Sequence, residues 1–156
     1  MKCPKCRGID LERKAFNSPY VCQACEGMWL HSDQFSVLAD STEAVAPGDA
    51  PNDKDNMTGL CPEGHGVMTR AKVDVENPFY LEKCLHCGGI WFDKGELRRV
   101  AQAHLAENID VIWSAAWQRK QRMEKAKEKY PQTNDAMEKQ KSPLISAHPD
   151  IVRDEL

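Results

Sequence analysis

Apolar residues recur in this chain with two different periods. Ile9 and Leu11 alternate with polar neighbours, Asn17-Ser18-Pro19 interrupts, and Phe16, Tyr20 and Val21 lie around that break. The pattern predicts a short β-hairpin. Val67, Thr69, Ala71, Val73 and Val75 alternate in the same way, Asn77-Pro78 marks a turn, and Phe79 to Lys83 returns, which predicts a second hairpin. Beyond Gly95 the period lengthens. Leu97, Val100, Ala101, His104, Leu105, Val111, Ile112 and Ala115 trace a helical stripe, with Trp113 and Trp117 one turn apart on a shared face. Neither glycine nor proline occurs again before Pro131, so one helix is expected over 94–130, about 35 residues and roughly 50 Å long. A single small hairpin cannot cover that stripe. Either the helix folds back on both hairpin units, or a partner or a second copy of the chain buries it.

The two hairpins belong to a longer repeat. Cys22-Gln23-Ala24-Cys25-Glu26-Gly27-Met28-Trp29 runs on to Phe35, and Cys84-Leu85-His86-Cys87-Gly88-Gly89-Ile90-Trp91 runs on to Leu97, on one plan. Each stretch has a cysteine pair, a glycine, a tryptophan and a helix start. Asp93 is expected to cap the second helix, with Glu96 completing a capping box, and Ser32 or Asp33 to cap a first helix containing Phe35, Val37 and Leu38. Between the units, residues 40–58 are rich in Ser, Thr, Ala, Pro, Gly, Asp and Asn and read as a flexible acidic linker. The expected organisation is a first unit at 1–39, the linker at 40–58, a second unit at 59–97, the amphipathic helix at 94–130 and a disordered tail at 131–156. The last four residues, Arg153-Asp154-Glu155-Leu156, look like a retrieval signal, but no secretory signal opens the chain, so they are read as coincidence.

A unit of about 35 residues is too small for apolar burial alone to hold it folded. All seven cysteines of the 156 residues fall in these two units. With no signal peptide and no bilayer-length apolar run, the expected compartment is a reducing cytoplasm, where cysteines remain thiols. Cys3, Cys6, Cys22 and Cys25 make two C-x2-C pairs with a hairpin-sized spacer, the spacing of a four-cysteine zinc site. Cys61, Cys84 and Cys87 repeat the plan. There is no eighth cysteine, and His65 is the residue placed to supply the fourth ligand. His86 lies beside Cys87 and could reach the same ion only with strain, while His31, His104 and His148 lack ligand spacing and are taken as surface or packing residues. Asp93 and Glu96 are explained as capping groups, so no catalytic pair is assigned and an enzyme is not expected. If His65 did not bind, water would open the second site to metal-assisted hydrolysis. A net charge of -3 argues against a general nucleic-acid binder, although residues 117–130 carry Arg119, Lys120, Arg122, Lys125, Lys127 and Lys129 against Glu124 and Glu128.

With these residues in view, the pattern resembles the transcription-factor-IIB-type zinc-finger family, the zinc ribbons. Cys84 to Leu97 matches its second knuckle and helix start through Cys87, Gly88, Gly89, Trp91, Asp93, Gly95, Glu96 and Leu97. Cys3, Pro4, Cys6, Cys22, Cys25, Gly27 and Trp29 match it again. The first stretch departs at His31 and Asp33-Gln34, and the second has His65 where the family has cysteine. The resemblance implies a small metal-stabilised α+β fold, two tandem zinc ribbons followed by the long helix, holding two zinc ions. The expected role is a non-enzymatic adaptor or regulatory protein that binds a protein partner, or itself, through the 97–117 helix face. Nucleic-acid binding in transcription or RNA handling is the alternative, and a rubredoxin-like iron electron carrier is another.

Overall fold

The computed structural model describes residues 1–31, 34–35 and 53–130. The expected cap at Ser32 or Asp33, the helix residues Val37 and Leu38, linker residues 40–52 and the tail at 131–156 lie outside the described residues.

Met1–Arg122 form one compact body. Its framework is an antiparallel sheet of five strands: β1 (Tyr20–Val21), β2 (Met28–His31), β3 (Thr69–Val73), β4 (Phe79–Lys83) and β5 (Gly89–Phe92), in spatial order β1-β2-β5-β4-β3. The β3–β4 hairpin pairs Thr69 with Lys83 through to Val73 with Phe79, around the expected Asn77-Pro78 turn. In the first half the hairpin is reduced to isolated bridges, Lys2 with Asp10 and Glu12 with Val21, and to the two residues of β1.

The strands absent from the sequence expectation are the central ones. Met28-Trp29-Leu30 and Ile90-Trp91-Phe92 are unbroken apolar runs, the signature of a strand buried on both faces. They pair directly, Met28 with Phe92, Trp29 with Trp91, Leu30 with Ile90 and His31 with Gly89. The two units are therefore halves of one sheet, related about the Trp29–Trp91 pair, and not two ribbons tethered by a linker.

Strand alternation gives the sheet two cores. Met28, Leu30, Ile90 and Phe92 face one side with Phe35, Ala71, Val73, Phe79, Leu81, Leu97, Val100, Ile109 and Ile112. Trp29 and Trp91 face the other side, among Cys3, Cys22, Cys61, Cys84, Leu11 and Met68.

The expected single helix over 94–130 is broken into three pieces: α1 (Glu96–Gln102), a 3-10 turn at Ile109–Trp113, and α2 (Ala115–Lys129). His104 ends α1 with φ 54°. The Leu105 N–H donates to the Val100 carbonyl at 3.1 Å and the His104 N–H to that of Ala101 at 3.0 Å, a Schellman motif with histidine in the left-handed place that glycine usually takes. The break turns the stripe back onto the sheet, burying Leu97, Val100, Ile109 and Ile112, with Leu105, Trp113 and Trp117 packed beside them. Trp113 Nε1 donates to the Thr69 carbonyl at 3.1 Å, and the Gln118 amide to that of Lys72 at 2.9 Å, so this segment covers the β3 edge. Leu97, Val100, Ile109 and Ile112 of the 97–117 segment are thus buried in the chain's own core, while His104, Val111 and Ala115 of the expected stripe stay exposed. A separate compact region starts at Met123, and its described residues complete α2 and end at Tyr130.

The expected Asp93 cap is also corrected. Gly95, at φ 83°, occupies the cap position of α1 without a side-chain bond. Glu96 does reach back, accepting from the Asp93 N–H at 2.8 Å, but the Asp93 carboxylate accepts instead from Trp91 Nε1 at 2.8 Å.

Candidate metal centres

Each C-x2-C pair near the end of a hairpin is a tight turn that leads into a central strand. The Cys22 N–H donates to the Gly27 carbonyl and the Cys84 N–H to that of Gly89, both at 2.9 Å. This turn needs a left-handed residue, which is Gly88 at φ 76° in the second half and Glu26 at φ 57° in the first. Pro62-Glu63-Gly64 lengthens the first knuckle of the second half by one residue, and Gly64 takes φ 86°.

The fold brings the eight sequence-predicted ligands together as two sets. Cys3, Cys6, Cys22 and Cys25 have all four sulfurs within 4.8 Å of one another, and Cys61, His65, Cys84 and Cys87 place three sulfurs and one ring nitrogen equally close. Zinc at about 2.3 Å from sulfur and 2.0 Å from nitrogen, with tetrahedral angles, requires S···S near 3.8 Å and S···N near 3.5 Å. Cys3 and Cys25 sulfurs lie 3.7 Å apart, those of Cys61 and Cys87 3.8 Å, and Cys61 Sγ lies 3.5 Å from His65 Nδ1. The residues fit zinc in both places, through Nδ1 of His65 in the second. His86 stays outside the second set, its ring centroid 4.3 Å from that of His65.

Crowding governs the thiols. The neighbouring Cys3 sulfur, and then burial, pushes the Cys25 thiol well up. Burial, with Cys84 and Cys61 beside it, pushes Cys87 up to about 12. Cys84 moves the other way. Burial opposes ionisation there, but N–H groups of Cys87 and His86 outweigh it. Such sites hold protons until a cation displaces them, so metal uptake releases protons and acid opposes it. Around the first set the Lys5 and Cys6 N–H groups point at Cys3 Sγ, at 3.4 and 3.3 Å, and Lys54 Nζ donates to Cys6 Sγ at 3.0 Å. Lys54 enters from a 3-10 turn at Asp53–Asn56, so the last residues of the expected linker lie against a knuckle.

Between the sets lies a reciprocal tryptophan contact. A Cβ on Gly27 would lie 2.3 Å from the Trp91 ring, and one on Gly89 2.1 Å from the Trp29 ring, so each glycine is the floor for the other half's indole. Both tryptophans are buried, and burial of 150–250 Å² each corresponds to roughly 4–6 kcal/mol of gross transfer energy.

A lysine–carboxylate ion pair and a histidine–carboxylate contact flank the tryptophans, one on each side. Lys5, between the ligands of one knuckle, is buried and donates to Glu82 Oε1 at 2.7 Å and to the carbonyls of Lys54 and Met57, with Asp93 Oδ2 at 3.6 Å. Glu63, between the ligands of the corresponding knuckle, accepts from Trp29 Nε1 at 3.0 Å and lies 2.7 Å from His31 Nε2. Burial opposes ionisation of Glu63, but the bonds from Trp29 and His31 hold it below the usual carboxylate range. His31 and Glu63 were not singled out as a pair from sequence. The signal was available, since His31 stands where the second half has Asp93, and Glu63 where the first has Lys5.

Asp55, Asp93 and Glu96 also converge, with carboxylate oxygens within 4.8 Å of one another. Lys5 lies 3.6 Å from Asp93 and Arg70 3.8 Å from Asp55. Burial, and then the Asp93 charge, hold the Glu96 carboxyl well above its ordinary range, and burial likewise raises Glu82. The cluster is thus flanked by an ammonium and a guanidinium.

Among the described residues no helix is long and apolar enough to cross a membrane. No curated protein and no solved structure matches the chain. Residues 60–103 match a zinc-ribbon family of the TFIIB type, described as transcription factor zinc-finger, so the second half with its Cys61, His65, Cys84 and Cys87 is similar to that family.

Proposed function

We propose that this chain is a zinc-binding, non-enzymatic module that holds two zinc ions as structural elements, and that its first half is a diverged second copy of the ribbon matched at 60–103. The observation that carries the reading is the completeness of both ligand sets. Each offers four donors within 4.8 Å of one another, enough to fill the four positions of a zinc ion and leave none for substrate or water. Zinc in such a site does not change oxidation state and serves to hold the fold. With all cysteines as thiols, the reading also places the protein in a reducing compartment.

Work done by a module of this kind is binding, and a protein partner is the favoured class. The 97–117 face is partly buried in the chain's own core, with Val111 exposed on it, and a second apolar surface lies around the second site. Leu60, Val67 and Leu85 are each more than 60% exposed around the second site, whereas the matching places around the first hold the Lys2–Asp10 ion pair and Gln23. Metal analysis with native mass measurement tests the reading. Two zinc ions in a colourless protein are expected. Iron and a visible absorption band would favour the electron carrier, and a metal-free folded chain would remove the proposal.

A polyanion partner is the second reading, because α2 buries none of its residues and carries Arg119, Lys120, Arg122, Lys125, Lys127 and Lys129. It predicts affinity that falls steeply with salt and weakens when Arg119, Lys120 and Arg122 are replaced.

A further inference from the structure

We propose that Lys54 is the built-in counter-cation of the four-cysteine site, its ammonium held on Cys6 Sγ to lower the charge and the reactivity of that thiolate. The proposal rests on zinc occupying that site.

Comparison of the two ligand sets motivates it. Cys6 and His65 occupy the same place, the second ligand of the first knuckle in each half. Four thiolates around a divalent ion leave two negative charges, while three thiolates and a neutral imidazole leave one. Lys54 Nζ lies 3.0 Å from the one sulfur whose counterpart is the imidazole. With its charge counted, the two centres carry the same net charge. Among the described residues no lysine or arginine donates to a sulfur of the second set.

The placement is built and not a chance surface contact. Lys5 Nζ, buried inside the same knuckle, donates to the carbonyls of both Lys54 and Met57, so backbone bonds fix the 3-10 turn that carries Lys54. Arg70 also bonds the Asp55 carbonyl, and the Tyr80 N–H donates to Asp55 Oδ1 at 3.0 Å, tying the turn to β3 and β4. A charge-assisted N–H···S bond withdraws electron density from a metal-bound thiolate, making it a poorer base and nucleophile, and partners of this kind typically change metal affinity by 10–100-fold. Lys54 is a positioning residue that acts through Cys6.

The test uses the full chain loaded with zinc, and in parallel with cobalt(II), comparing wild type, Lys54→Met and Lys54→Arg. Zinc transfer to a chelating dye should show the four-cysteine phase accelerated about 10-fold or more in Lys54→Met, the other phase unchanged within twofold, and Lys54→Arg close to wild type. The sulfur-to-cobalt charge-transfer band should move to lower energy in Lys54→Met, because the thiolate has become more electron-rich. A band that stays in place overturns the proposal, even if zinc leaves faster, since a loosened turn alone would explain the rate. If Lys54→Met does not fold, Lys54→Arg decides, because tenfold faster release with the charge retained is equally fatal. Failure of wild type to bind metal at all would instead strike the zinc reading on which this one stands.

Discussion

In the first half of the body, the residue between the knuckle ligands is Lys5, and it meets Glu82 and Asp93 of the second half. In the second half the same place holds Glu63, which meets His31 of the first. The scaffold is shared, and the polarity of the bond is reversed. Two first halves brought together would set Lys5 against a histidine, and two second halves would set Glu63 against an aspartate. The exchange of charge thus favours pairing of unlike halves within one chain over pairing of like halves between chains. The two versions also differ in depth. The Lys5 and Glu82 side chains are 1% and 2% exposed, whereas those of His31 and Glu63 are 36% and 29% exposed.

The largest expected effect comes from removing metal, because a structural zinc supplies on the order of 10 kcal/mol of folding energy. Since β2 and β5 share one ladder, Cys84→Ser should loosen the first half as well as the second. Hydrogen exchange that leaves Leu30 protected as in wild type after this substitution would show that the halves fold independently. Next in size is Lys5→Met, expected to cost about 3–5 kcal/mol because it takes the ammonium from Asp93 and from buried Glu82, which keeps only Arg70 at 3.6 Å. Denaturant unfolding gives the value, and a cost below that of Glu63→Gln would reverse the contrast between the two pairs.

Gly89→Ala or Gly27→Ala inserts a methyl into a tryptophan ring and should destabilise by about 1–3 kcal/mol through overpacking. Either variant with an unchanged melting temperature would show that the indoles do not define the junction. His31→Gln and Glu63→Gln should each cost under about 1 kcal/mol, given their partial exposure. The smallest effect concerns pH. A carboxyl held above its ordinary range contributes stability that is complete below about pH 4 and lost as pH rises through the raised value. Glu96 is such a group, and Glu96→Gln keeps an acceptor for the Asp93 N–H, as Gln34 already does for the His31 N–H at 3.1 Å. The stability of wild type relative to this variant should therefore fall as pH rises from about pH 4 through the raised value, and a difference that stays constant as pH rises would contradict the assignment.

The sequence by itself determined whatever depends on local spacing. C-x2-C turns bring two sulfurs to one side whatever surrounds them, so the eight residues that converge in two sets and the β3–β4 hairpin could be named from order along the chain. Termination of the helix was not legible there, because the left-handed position fell on His104, and glycine is the residue whose presence marks such a stop. Only the tertiary structure decided how the halves meet. Pairing of Trp29 with Trp91, the glycine floors, the Lys5 and Glu63 contacts and Lys54 on Cys6 all join residues far apart in sequence. Their energies arise from burial and charge in a three-dimensional setting that periodicity in one dimension does not encode.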